Sequence, residues 1–143
     1  MRIDKSNATI INSKSIYIHD DKLSLLQFDR DKNILTMVLK QIWPIKFEYT
    51  IEFINVIGFE MTSCDFWGRS ECILDFEYVE FEKQTIIPKL AKKWLSVEKD
   101  KDNAWLLENQ FETIITFSSG DTLIISCEHI QFNKAPLLEV GQV

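Results

Sequence analysis

The sequence predicts a β-dominated α+β domain: about seven mostly antiparallel strands, in a curved sheet or partly closed barrel, and one amphipathic helix at about 85–97. Three observations predict this fold. One stretch alternates strictly between apolar and polar residues, several shorter runs share its period of two, and one run has the period of a helix. A length of 143 residues suits a single domain, 1–143, that can bury a core without disulfides or metal.

The alternation is strongest at residues 45–53, where apolar side chains are separated by Lys46, Glu48, Thr50 and Glu52. Successive side chains of a strand point to opposite faces, so this pattern puts one face on a core. Runs at 23–28 and 34–39 precede it, and the three together predict a meander. The break in the pattern at Gly58 indicates a bulge or a bend.

Another strand is predicted at residues 72–81, with Leu74, Phe76 and Tyr78 on one face. The helix at 85–97 follows, because apolar residues recur there at helical spacing, and Thr85 is its predicted N-cap. The residues of that apolar stripe are Ile87, Leu90, Ala91, Trp94 and Leu95.

A final hairpin is predicted from residues 105–117 and 122–132. A three-residue loop at 119–121, with Gly120 left-handed, places the apolar residues of both strands on one face. Cys127 and His129 then point inwards. The same register sets Glu112 opposite Glu128, which is mildly unfavourable.

The chain ends show no clear period at 1–14 or 133–143, so we expect a loosely held tail. The core should lie under the apolar faces of the strands and helix. Its predicted members are Phe47, Tyr49, Ile51, Phe53, Leu74, Phe76, Trp94, Phe111, Ile115 and Ile125.

Charge and composition restrict the classes of partner. A net charge of −6 disfavours nucleic acid and anionic membranes, which both attract basic proteins. No run approaches the roughly 20 apolar residues of a membrane span, and the N-terminal residues lack the apolar region of a signal peptide. Three cysteines, an odd number, suggest reduced thiols, so we expect a cytoplasmic protein.

The acidic excess lies in the second half of the chain, since residues 1–70 are neutral overall. An acidic strand face could bind a basic protein, because complementary charge speeds and orients association. The alternative is a solvated face that maintains solubility. The acidic residues that stand together there are Glu71, Asp75, Glu77, Glu80 and Glu82.

The densest group of unusual side chains is at residues 64–70, where Asp65, Trp67 and Arg69 surround Gly68. Aromatic residues and arginine often carry binding energy, and loops carry much function. We therefore predict a binding site at these three residues. His19 and Asp20, which follow one another earlier in the chain, are further candidates. The alternative is a loop whose aromatic residues close one end of the core.

The sequence singles out no catalytic residue, metal or cofactor. Cys64 and Cys72 are too far apart for a zinc knuckle, and Cys127 is predicted to be buried. Nothing local lowers the pKa of Cys64, and the carboxylate of Asp65 would raise it. A non-enzymatic role is therefore favoured over an enzymatic one.

Five short segments carry a resemblance to a known set of families: His19-Asp20, the strand that ends at Phe28-Asp29, ILTMVL, IEFINV and FSSGDTLIISC. They resemble segments of small bacterial immunity-type β-rich proteins, of the kind named immunity protein 50, which neutralise polymorphic toxins. The similarity covers most of the chain as a strand layout, but residues 64–70 are not part of that pattern. The resemblance implies a cytoplasmic protein that binds another protein and catalyses nothing.

Two classes of function follow. The first is a non-enzymatic protein-binding module, such as an immunity-type protein with a basic partner. The second is a small-ligand binder or hydrolase with a pocket at the open end of the sheet, near Asp65, Trp67, Arg69 and His19. A polar-lined cavity would favour the second class, and a filled core with an exposed acidic or aromatic patch would favour the first. The partner's identity and the oligomeric state do not follow from the sequence.

Overall fold

A computed structural model describes residues 1–12, 18–41, 46–62, 71–96 and 107–136, with the backbone alone for 94–96. Within these ranges the fold is the predicted β-dominated α+β class, with one α-helix, α1 (Ile86–Ser96). The described strands number nine, so the prediction of seven was wrong. They are β1 (Arg2–Asp4), β2 (Lys22–Asp29), β3 (Ile34–Gln41), β4 (Phe47–Ile54), β5 (Gly58–Met61), β6 (Ile73–Val79), β7 (Phe111–Phe117), β8 (Thr122–Cys127) and β9 (His129–Pro136).

The first sheet has the antiparallel order β1-β9-β4-β3-β2 and contains the predicted meander, β2-β3-β4. Its central strand is β4, where the strict alternation buries Tyr49, Ile51 and Phe53. Phe47, which was also predicted to be in the core, is only half-buried at the start of the strand. The period of two therefore identified the inward face of β4.

The second sheet has the antiparallel order β5-β8-β7-β6. Its hairpin β7-β8 pairs Thr116 with Thr122 and Phe111 with Cys127, so the predicted register was wrong by two residues. The Phe117 N–H donates to the Asp121 carbonyl at 2.9 Å, and Gly120 is left-handed at φ 92°. The three-residue loop is thus 118–120. A shift of two residues keeps every side chain on its predicted face, which is why the hydrophobic pattern could not detect it.

The chain passes between the sheets at two adjacent corners. One joins β4 to β5 at Asn55, which is left-handed at φ 54°, and the other joins β8 to β9 at Glu128. The Asn55 side chain donates to the Glu128 carboxylate at 2.6 Å, and the Glu128 N–H donates to the Ile54 carbonyl at 3.0 Å. The predicted single strand at 122–132 is therefore two strands. The bend predicted at Gly58 is made by Asn55.

One predicted face was wrong in β6. The pairing of β6 with β7 shifts between Ile73 and Asp75, so Ile73 is fully buried and Leu74 is 40% exposed. An irregularity of this kind changes which side chains point inwards. Phe76 remains buried, as predicted, and Tyr78 is half-buried against the core.

The core lies between the two sheets, whose inward faces form one apolar cluster. Phe53 of β4 and Phe76 of β6 meet edge to face, with ring centroids 6.3 Å apart. Phe111, Ile115 and Ile125 are fully buried, as predicted. The side chain of Trp94, another predicted core residue, lies outside the described part of the chain.

Both chain ends contribute to the first sheet, contrary to the expectation from their lack of periodicity. A short 3₁₀ helix (Ala8–Asn12) follows β1, and Ala8 and Ile11 are buried. At the other end β9 continues to Pro136, which pairs with Phe47. The tail is therefore held by β4 as far as residue 136.

The edges of the two sheets meet where β2 begins. Lys22 and Cys72 form an isolated bridge, the Leu23 N–H donates to the Glu71 carbonyl at 2.8 Å, and the Ile73 N–H donates to the Asp21 carbonyl at 2.9 Å. These bonds define the edge junction, residues 20–23 with 71–73. Across the described strands the pairing does not continue into a closed barrel.

Helix α1 packs on the outer face of the second sheet, opposite the core. Gly58 of β5 lies beneath it: a Cβ there would be 2.9 Å from the Ile86 side chain and 3.5 Å from that of Leu90. The glycine therefore serves close packing of the helix. No described helix has the length and apolar character needed to cross a membrane.

Candidate functional site

The predicted binding residues fall into two groups. Asp65, Trp67 and Arg69 lie outside the described residues, so their role stays a prediction. His19 and Asp20 form a turn where the edge junction begins, with Asp20 left-handed at φ 66°. The Asp20 N–H donates to the Ile73 carbonyl at 2.7 Å, which attaches this turn to β6.

The His19 ring is oriented by two contacts. Its Nδ1 is bonded to the Leu74 carbonyl, and because a carbonyl can only accept, Nδ1 carries the proton. Its Nε2 lies 3.5 Å from the Asp20 carboxylate. The bond to Leu74 joins this turn to β6, so it gives His19 a structural role whether or not His19 also binds a partner.

The surroundings of Cys72 and Cys127 disfavour the reactive thiolate form, and those of His129 favour its neutral form. Burial and the carboxylates of Asp20 and Glu71 raise the pKa of the Cys72 thiol, and burial raises that of Cys127. Burial and the nearby Arg2 lower the pKa of His129. Cys64 lies outside the described residues. Among those that are described, no three His, Cys, Asp or Glu side chains form a group that could hold a metal ion.

A polar recess of about 430 Å³ lies beside β1 and the corner at Glu128. Arg2 and Lys5 face it together with Asp4 and Glu128, so charges of both signs line it. Asp4 is already bound to Ser6, whose hydroxyl and N–H hold the pKa of that carboxyl below its usual range. The recess does not adjoin His19 or Asp20. Its charges give it no clear preference for an anion or a cation.

The part of the second sheet that α1 leaves uncovered has a more definite chemical character. Strand pairing aligns two rows of side chains across its outer face. We call these two rows the open strip. The first row is Glu60, Ile124, Ile114 and Glu77, and the second is Thr62, Thr122, Thr116 and Asp75.

The centre of the open strip is apolar and its ends are acidic. Ile114 and Ile124 are paired across β7 and β8 and are both half-exposed. At the β5 end the Glu60 carboxylate binds the Lys89 ammonium at 2.7 Å. At the β6 end the exposed Asp75 and Glu77 lie side by side. A hydrogen bond that the Asp75 carboxylate accepts, together with its negative charge, raises the pKa of Glu77. Free negative charge is thus concentrated at the β6 end.

A cavity of about 420 Å³ opens beside the strip, between β6 and the start of α1. Val79, Ile114 and Ile124 supply its apolar lining, while Glu77 and Glu80 supply acidic groups. The adjoining 3₁₀ helix (Phe81–Lys83) presents Phe81, whose side chain is 81% exposed between two glutamates. An exposed aromatic ring among carboxylates is a feature of binding surfaces more than of folding.

The predicted acidic face needs one correction. Glu71 is buried, and its carboxylate accepts hydrogen bonds from the Ser118 hydroxyl at 3.0 Å and the Ser119 N–H at 2.8 Å. It therefore stabilises the β7-β8 loop and is not available to a partner. Asp75, Glu77, Glu80 and Glu82 are exposed.

The isoleucine pair was missed because the sequence showed the alternation of β7 and β8 without showing what covers their outer face. Ile114 and Ile124 each lie at an outward position of a strand whose other outward residues are polar. An apolar residue at an outward position of each strand was the available signal. Its meaning depended on where α1 packs.

Comparison with known proteins adds little. No protein-family model matches the chain, and no curated protein matches it. Among solved structures it is similar to a crystal structure of an uncharacterized protein from Neisseria gonorrhoeae, with 17% identity over 96% of this chain and 99% of that chain and a TM-score of 0.48. Function therefore has to be inferred from the residues of this chain.

Proposed function

We propose that this chain is a non-enzymatic protein-binding domain and that the open strip is its contact surface. The observation that carries the proposal is the half-exposed pair of Ile114 and Ile124 with carboxylates at both ends of its row. An apolar centre with a polar rim is the arrangement found at protein interfaces. The apolar cluster between the described strands and the exposed Phe81 support the same function.

The outer face of the first sheet provides a contrast. This face also carries one apolar pair, the exposed Leu25 with the half-exposed Val38. Other cross-strand pairs on it are polar or oppositely charged, such as Lys40 with Glu48 and Thr36 with Glu52. Pairs of this kind suit a solvated surface. The open strip differs because carboxylates flank its apolar pair on both sides, whereas the row of Leu25 and Val38 continues into Thr50 and Asn133. This difference supports the choice of surface.

The charge of the open strip favours a basic partner. Asp75, Glu77, Glu80 and Glu82 are exposed at or beside its β6 end, with Lys83 as the neighbouring base. Basic groups on a partner would speed association and orient it. The resemblance to immunity-type proteins gives this proposal its specific form, in which the chain neutralises a toxin by binding it in the cytoplasm.

Site-specific photo-crosslinking tests the proposal. A photoreactive residue at Thr116, in the open strip, should crosslink a partner in cells, while one at Thr36 on the first sheet should not. The two positions are matched, since both are half-exposed threonines paired within a strand. The partner is then identified by mass spectrometry and its affinity is measured with purified components.

The reconstituted complex decides the outcome. Ile124→Asp should weaken it by at least about tenfold, because a carboxylate would replace the apolar centre of the surface. Leu25→Asp, at an exposed apolar position of β2, is the control and should have little effect. Equal weakening by both substitutions, or by neither, would remove the open strip as the contact surface.

A further inference from the structure

The open strip has the dimensions of a site for one α-helix. Residues two apart on one face of a strand are separated by about 7 Å. The position of α1 over the sheet is marked by Ser126, because Ser126 pairs with Gly58 and Glu112, which both contact α1. The midline of the open strip, between the rows of Ile124 and Thr122, is therefore about 10 Å from Ser126. Packed helices lie about 8–10 Å apart. A second helix could thus lie alongside α1, centred on the strip.

Addition of an extended peptide to the neighbouring edge is disfavoured because β6 is already engaged there. The Tyr78 N–H donates to the Asn12 side chain at 2.9 Å. At the other end of the strand, the Ile73 N–H donates to the Asp21 carbonyl, and Cys72 forms a bridge with Lys22. Strand addition needs a free row of backbone groups. The face of the sheet is therefore favoured over the β6 edge.

The charge distribution gives such a helix a direction. Asp75 and Glu77 lie at the β6 end, whereas Glu60 at the β5 end is paired with Lys89. The N-terminus of a helix carries partial positive charge, so it is favoured near carboxylates. Helix α1 follows the same rule on the same face, because its first N–H groups meet the carboxylate of Glu112.

We infer that the open strip binds an amphipathic α-helix of the partner, with its apolar side on Ile114 and Ile124 and a lysine- or arginine-bearing N-terminal turn over Asp75 and Glu77. This inference rests on the proposed protein-binding function and specifies what the partner presents. Four strands at about 4.8 Å spacing give the strip a length of roughly 14 Å between its outer strands. That length corresponds to about three turns of helix.

Synthetic peptides test the inference without knowledge of the partner. Three amphipathic peptides of about 15 residues share one leucine stripe. The first has lysines in its first turn, the second has the same lysines in its last turn, and the third has glutamates in place of lysines. Calorimetry measures their affinities, and the methyl NMR signals of Ile114 and Ile124 report where they bind.

The first peptide should bind at least about tenfold more tightly than the second and shift both isoleucine signals. Glu77→Lys should abolish that preference, because it puts like charge beside the basic turn. Asp31→Lys is the matched control, an equal charge change in the exposed loop between β2 and β3, and should preserve the preference. The third peptide should bind weakest.

Equal affinity of the first and second peptides, failure of all three to bind, or signal shifts confined to other residues would overturn the helix inference. The proposed function fails by a different measurement, the insensitivity of the reconstituted complex to Ile124→Asp. A partner that needs Ile124, combined with indifferent peptides, would therefore retain the protein-binding function and reject the helical occupant.

Discussion

Two buried carboxylates, Glu112 and Asp21, differ sharply in how their charge is accommodated. Glu112 of β7 is fully buried beneath the start of α1 and accepts hydrogen bonds from four donors. Asp21 is equally inaccessible at the edge junction, but its Oδ2 has no hydrogen-bond partner in the described structure. Buried charge is tolerated when it is hydrogen-bonded and costly when it is not.

The donors to Glu112 explain how its burial is tolerated. The N–H groups of Thr85, Ile86 and Ile87 lie 3.1, 2.9 and 3.3 Å from its oxygens. These are N–H groups that a helix leaves without internal partners in its first turn. Thr85 precedes the helix as predicted, yet the acceptor oxygens come from a distant strand. The prediction of a local cap by Thr85 was therefore incomplete.

The surroundings of Asp21 favour its neutral form. Burial, followed by the negative charge of Asp20, raises the pKa of Asp21 to about 6, while Lys134 opposes that shift. The contrast shows that burial alone does not determine what a carboxylate contributes. The donors around it do, and the first turn of a helix supplies several at once.

The largest expected effect comes from removing the Glu112 carboxylate. Glu112→Ala should lower the free energy of unfolding by about 3 kcal/mol, because it leaves buried N–H groups without an acceptor. Glu112→Gln should cost less, since the amide retains one acceptor oxygen. Chemical denaturation measures both values. A cost below that of an ordinary surface substitution would show that the helix start does not depend on this carboxylate.

Asp21→Asn should raise the free energy of unfolding at neutral pH, whereas Glu112→Ala lowers it. The folded-state pKa of Asp21 lies above the usual 3.8, so the folded protein holds the proton more tightly than the unfolded chain. Stability is then fully present below about pH 4 and is lost as pH rises through about 6. The substitution should raise the free energy of unfolding by about 2 kcal/mol at pH 7 and by little at pH 3.5.

Denaturation of the wild type and the Asp21→Asn variant between pH 3.5 and 7 provides the measurement, and each pH serves as a control for the others. A constant difference between the two proteins at every pH would contradict the ionisation of Asp21 as its source. Destabilisation at pH 7 would mean that the Asp21 carboxylate has a stabilising partner.

The smallest effect concerns how closely α1 approaches the sheet. Gly58→Ala would place a Cβ 2.9 Å from the Ile86 side chain, so the helix start must shift. We expect a loss of about 1 kcal/mol in the free energy of unfolding, at the low end for overpacking. Gly120→Ala does not test packing, since nothing lies within 4 Å of its Cβ position. Unchanged stability of Gly58→Ala would indicate that α1 can move without disturbing Glu112.

Local pattern in the sequence determined which way most side chains point. The period of two in β4 and β7 identified Ile51, Phe53 and Ile115 as core residues, and helical spacing located α1. It did so because side-chain direction in a strand or helix follows from backbone geometry alone. The exception was Leu74, where an irregular pairing with β7 reverses the expected face.

Contacts between distant residues decided the rest. A shift of two residues in the hairpin leaves every side chain on the same face, so the hydrophobic pattern could not determine the register. The actual register places Glu112 opposite Ser126, away from Glu128. Three features join segments that are far apart in sequence. They are the corners at Asn55 and Glu128, the cap that Glu112 gives to α1, and the edge junction that contains Asp21. No local period records such pairings, and the open strip depends on them, because it exists only where α1 stops covering the second sheet.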